Sequence, residues 1–137
     1  MDPASDLAAK LVTLSPVGGV AFVLGTNLFT GREREEEVAG SFPRVTLLNY
    51  GGPAPQAYLG GQRDGFYRGR VQVRVRGAPE QFAAGETLAR AILHGLNWAT
   101  VTGYVDVRAE GSAAAYFGSD TSGRDVWTID FQCGWTE

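Results

Sequence analysis

The period of the hydrophobic positions changes several times along the chain, and each change marks an element. Asp2 stands where it can cap a helix, Pro3 takes the first helical position, and Leu7, Leu11 and Leu14 recur at spacings of four and three, which predicts an N-terminal helix. Ser15-Pro16 ends it, because a residue before proline avoids the helical region. Val20, Phe22 and Leu24 then alternate as a short strand, and Val45 to Tyr50 is apolar on both faces, which suits a central strand. The clearest alternation runs from Tyr67 to Arg76: Val71, Val73 and Val75 fall on one face, and Arg68, Arg70, Gln72, Arg74 and Arg76 on the other. Pro79 opens a second helix that reaches about Asn97. Its buried stripe is Phe82, Gly85, Leu88, Ala89, Ile92 and Leu96, with Glu86, Arg90 and His94 on the outer face. Two strands follow, Tyr104 to Ala109 and Val126 to Trp135; in the second, Trp127, Ile129, Phe131, Cys133 and Trp135 share the apolar side.

The segments between these elements read as loops. Arg32 to Glu37 is a solvated charge run, either extended or a short helical turn. Gly51 to Gly65 is long and rich in glycine, with Pro53 and Pro55, and Glu110 to Arg124 is rich in Gly, Ser and Ala. One helical crossover among strands that follow one another predicts an α+β fold: a mixed, mostly antiparallel sheet of about four to five strands with two helices packed on one face. The arginine row lies on the other face, which stays open.

Length and composition narrow the function classes. A chain of 137 residues fits a single domain over positions 1–137, and 44% hydrophobic with 20% charged residues is ordinary globular composition. A formal charge of -3 is too small to mark a nucleic-acid binder. Lys10 is the single lysine among 12 basic residues, which reflects either genome composition or a preference for bidentate arginine contacts. With one cysteine, no intramolecular disulfide forms. The N-terminus lacks the pattern of a signal peptide, and the longest apolar stretch, Val17 to Leu24, is too short to span a bilayer. The expectation is a soluble, intracellular protein with no membrane partner until it is assembled into something larger.

Few residues suggest catalysis. His94 is the single histidine and falls on an outer helix stripe, where a surface role outweighs a ligand or base. Cys133 points into an apolar face and reads as packing. One His and one Cys do not make a zinc site, and no carboxylate cluster compensates. The glycine pairs at Gly51-Gly52 and Gly60-Gly61 lack the Lys-Ser/Thr of a phosphate loop. Asp120 to Asp125 has a faint likeness to a calcium loop but lacks its terminal Glu, so a tight turn is expected. No catalytic residue, cofactor or metal is predicted, and the chain is read as a non-enzyme.

The arginine row is the strongest lead. Four guanidinium groups two residues apart stand roughly 7 Å from one another along a strand and repel unless anions face them. Three readings stay open: a solvated face tempered by acids such as Asp106 or Asp130; pairing with Glu33, Glu35, Glu36 and Glu37 of a neighbouring subunit; or contact with DNA phosphates, which the net negative charge disfavours.

Four pieces in order resemble the tail terminators of long-tailed phages, a family also known as tail completion or minor capsid proteins. They are the N-terminal helix leading into Gly25-Thr26-Asn27-Leu28-Phe29-Thr30-Gly31; a strand ending in Tyr50-Gly51-Gly52-Pro53; Phe66-Tyr67-Arg68-Gly69-Arg70-Val71-Gln72-Val73-Arg74-Val75-Arg76-Gly77 running into a helix; and the loop and strand from Gly118 to Phe131. Arg32 to Glu37 and Ala113 to Ala115 match no part of that pattern. The resemblance implies a structural virion protein at the head-tail interface, assembled in the host cytoplasm. It implies a homohexameric ring that caps the tail tube protein, docks on a head-completion or connector protein, and lets DNA pass without specific binding. A different head-tail connector, a tail-tube subunit, or a small nucleic-acid or ligand-binding module are the alternatives.

Overall fold

The computed structural model describes residues 1–31, 42–57 and 65–137. Helix α1 spans Pro3–Leu14, and its first turn is closed from outside: the Asp2 carboxylate accepts from the Ser5 amide (3.3 Å) and hydroxyl (2.7 Å). Leu7 and Leu11 are fully buried, while Leu14, third in the expected stripe, is partly exposed. Strands β1 (Leu28–Thr30), β2 (Arg44–Asn49), β3 (Gln56–Ala57) and β4 (Gly65–Arg76) follow, then helix α2 (Phe82–Leu96), then β5 (Asp106–Ala109), β6 (Ala115–Ser119) and β7 (Asp125–Thr136).

The sheet runs in the order β1-β2-β4-β7-β5, with β3 extending the β2 edge of β4 and β6 extending the β5 edge of β7. The β1–β2 pair is parallel and every other pair antiparallel, so the fold is α+β with a mixed, mostly antiparallel sheet and two helices on one face. Five strands make the through-path, and the two short ones bring the described sheet to seven. Strands β4 and β7 form its spine, in register from Phe66↔Thr136 to Arg76↔Val126.

That register sorts the two faces as the period-2 pattern requires. Val71, Val73 and Val75 stand opposite Phe131, Ile129 and Trp127, and pack with Val45 and Leu47 under Leu88, Ile92 and Leu96 of α2 and Leu7 and Leu11 of α1. Each such side chain contributes roughly 1.5–3 kcal/mol by leaving water. Asn49 ties α1 to the sheet: its Oδ1 accepts from the Ala4 amide (2.9 Å) and its Nδ2 donates to Asp2 (2.8 Å).

Four details depart from the pattern-based expectation. Val20 to Leu24 is not a strand: Val17 and Val20 bond each other's backbones across a tight turn, and the Asn27 side chain serves the Val23 amide and the Ala21 carbonyl, so little backbone is left for a ladder. The second helix begins at Phe82, not Pro79, because Glu80 holds a left-handed φ of 63° and donates its amide to Gly123. Phe82 itself lies outside the buried stripe, half exposed. The Glu110 to Arg124 stretch contains β6 and is a hairpin arm, not wholly a loop.

Candidate functional site

Arg68, Arg70, Arg74 and Arg76 all project from the face of β4 that the helices leave free, since their register partners Gly134, Gln132, Thr128 and Val126 oppose the buried set. The structure gives each arginine a different setting. Arg70 pairs with Glu110, just past the end of β5 on the other side of β7, at 3.0 Å. Arg76 meets Asp120 at 3.5 Å. The Arg68 guanidinium stacks over the Phe66 ring, 5.1 Å from its centroid. Arg74, between Thr46 and Thr128, is exposed and makes no ion pair among the described residues. Asp106 is occupied by Arg108 at 3.2 Å, and Asp130 accepts from Gln72 (3.5 Å) and Tyr50. Burial of the Tyr50 phenol and its bond to Asp130 push its pKa up to about 12. Acids thus temper the row at Arg70 and Arg76, while Arg68 rests on the Phe66 ring and Arg74 faces no acid among the described residues. Glu33, Glu35, Glu36 and Glu37 lie outside the described residues.

One end of this face is closed. Arg44, which stands beside Arg76 in the register, is buried with its guanidinium over Phe29 (4.9 Å) and Phe42 (5.1 Å), and Thr46 and Thr128, the two register partners of Arg74, are buried as well. Arg124 stacks on the same Phe42 and bonds Asp120 at 2.8 Å. The Asp120 carboxylate also accepts the amides of Ser122 and Arg124, which makes Asp120 to Asp125 the expected tight turn at the head of the β6–β7 hairpin. Burial pushes the Asp120 carboxyl up, but those two amides and the Arg124 guanidinium outweigh it and hold the group below its ordinary range.

The remaining candidates are quiet chemically. Cys133 is fully buried, and burial, with Asp106 and Asp6 nearby, pushes its thiol up to about 12, far from a nucleophile's range. His94 is exposed on α2. Among the described residues no three His, Cys, Asp or Glu side chains gather as metal ligands, and no helix is long and apolar enough to cross a membrane.

A second surface was not legible in the sequence. Between α2 and the segment entering β6 lies a groove of about 270 Å³. Trp127 floors it, and Phe82, Leu93, Ala114 and Tyr116 wall it. Phe82, Tyr116 and Trp127 form a mutual aromatic triad with centroids 5.3 to 5.5 Å apart. The Tyr116 hydroxyl donates to Asp125 at 2.6 Å, which fixes the ring's angle, and the Glu86–Arg90 pair (3.5 Å) sits on the rim. The periodicity of α2 sends Phe82 to the core, so only the pairing of β6 with β7 could have brought this triad to light.

No protein-family model matches the chain, and no curated protein sequence matches it. Among solved structures, the chain is similar to one from the "Virion of native gene transfer agent (GTA) particle", with a TM-score of 0.64 and 15% sequence identity over 98% of this chain and 94% of that one. At that identity the likeness is one of fold, and it extends across nearly the full length of both chains.

Proposed function

We propose that this chain is a structural virion protein of the tail-terminator type, a subunit that joins its own copies in a ring on the end of a tail tube and faces a head connector. The observation that carries the reading is the full-length likeness of fold to a chain of a phage-like virion particle. The order of the four sequence pieces agrees with it, and so does a sheet face armed with a row of arginines. The protein acts through shape and charge, without turnover and without a cofactor.

Within this reading the exposed arginines meet the acids of a neighbour, Glu33 and Glu35 to Glu37 being the matching run in the sequence. Arg74 is the residue to test, because Arg70 and Arg76 already have partners within the chain. Arg74→Glu leaves the monomer's stability within about 0.5 kcal/mol, as an exposed substitution does, and shifts assembled rings toward monomer at 0.15 M salt. Native mass spectrometry reads the shift. Unchanged assembly removes the arginine face from the interface and leaves it solvated.

A further inference from the structure

We infer that adjacent copies are held by an apolar contact in which the Val23–Leu24 turn of one copy enters the aromatic groove between α2 and β6 of the next. This rests on the ring reading above and names the surface that closes the ring.

A closed ring of identical subunits needs two different, complementary surfaces, one on each flank. The sheet register shows that two exposed apolar features among the described residues stand in that relation. Tyr116 pairs with Trp127, Trp127 with Val75, Val75 with Val45, and Val45 with Leu28. An isolated parallel bridge adds Leu24 outboard of Leu28. Leu24 and Tyr116 are therefore the two ends of one row across the sheet, five strand spacings or roughly 24 Å apart. At one end Leu24 is 63% exposed and Val23 55%; at the other Tyr116 is 50% exposed and Phe117, at the bulge beside it, 69%.

The sizes agree. Aromatic side chains carry 150–250 Å² each, so Phe82 and Tyr116, about half exposed, present roughly 200 Å² of apolar surface at the groove. That suits the apolar centre of an interface burying about 800 Å² per partner, the rest of which is a polar rim. The opposing turn is rigid before it binds. Asn27 Oδ1 accepts from the Val23 amide (2.8 Å), Asn27 Nδ2 donates to the Ala21 carbonyl (2.9 Å), and the Thr26 amide returns to the Val23 carbonyl (3.0 Å). Two exposed aliphatic side chains on a fixed turn lose little entropy on docking.

The test is a double variant, Leu24→Cys with Ala113→Cys, Ala113 being an exposed residue lining the groove. The native thiol at Cys133 is buried and stays silent. The two new thiols stand too far apart in one chain to bridge, since a disulfide needs Cα atoms within about 7 Å. Mild oxidation of rings formed alone or on purified tail tubes is expected to give a ladder of linked oligomers on a non-reducing gel, with neither single variant cross-linking. Leu24→Asp is expected to lower the ring fraction at least tenfold with the melting temperature unchanged. Rings that form without a ladder, or a single variant that links to itself, overturn the contact while sparing the ring. A wild-type chain that forms no rings with or without tubes overturns both.

Discussion

Gly85 of α2 is fitted to the indole of Trp127: a Cβ built on Gly85 would stand 2.5 Å from Cζ3 and 2.6 Å from Cη2 of that ring. The helix is brought down onto β7 at a position where it carries no side chain. Alanine would favour the helix backbone by about 1 kcal/mol, but the indole is wedged between Phe82 and Tyr116 and has little room to retreat. Gly85→Ala is expected to destabilise the protein by about 1–3 kcal/mol, the usual cost of overpacking, and to shift the tryptophan emission. A neutral or stabilising result in thermal melts would mean that the triad is looser than the geometry implies.

The Asp120 turn contributes to the acid limb of stability. Its carboxyl is held below the ordinary 3.8, so its contribution is complete above that value and is lost as pH falls through the depressed folded value. Asp120→Asn should be less stable than wild type at pH 7, and the gap should close below about pH 4. Urea melts from pH 7 to pH 2 check this, and a gap that stays constant would deny the turn its ionic character.

Tyr104 latches α1 to the far end of β7. Its hydroxyl donates to Asp6 at 2.6 Å, and its ring lies edge-on to Trp135, 5.9 Å between centroids. Burial and the Asp6 carboxylate raise its pKa well above the ordinary tyrosine value. Tyr104→Phe keeps the ring and deletes the bond, with an expected loss of about 1–2 kcal/mol for a part-buried bond to a charged group. Equilibrium denaturation measures it; no loss would mean that water replaces the phenol at no cost.

Cys133 should resist thiol reagents in the folded protein at pH 8, because burial keeps its thiol protonated and covered. Labelling is expected only at the rate of unfolding, and to become immediate in 6 M guanidinium. Fast labelling under native conditions would mean that β7 opens locally.

Much of the fold was legible because its central elements obey one period each. The alternation of β4 announced both faces of the sheet, and Leu88, Ile92 and Leu96 announced how α2 lies. What escaped depended on contacts distant in sequence. Strand β6 is short and sits in a Gly-, Ser- and Ala-rich stretch, and only its pairing with β7 and the Asp120 turn make it a strand. Val20 to Leu24 alternates like a strand, yet Asn27 satisfies its backbone locally. The arginine row was visible as a pattern, but Glu110 and Asp120, the partners of Arg70 and Arg76, lay in a stretch that read as loop. The aromatic triad joins a helix start, a hairpin arm and a sheet strand, so no local window contains it.

Imaging purified tail tubes in negative stain after incubation with the protein, alongside native mass across concentration, shows whether the chain caps a tube as a ring. Ring-shaped density is expected at one end of the tubes, with an oligomer mass several times that of the 14.6 kDa chain. Bare tube ends and a monomer at every concentration would contradict it.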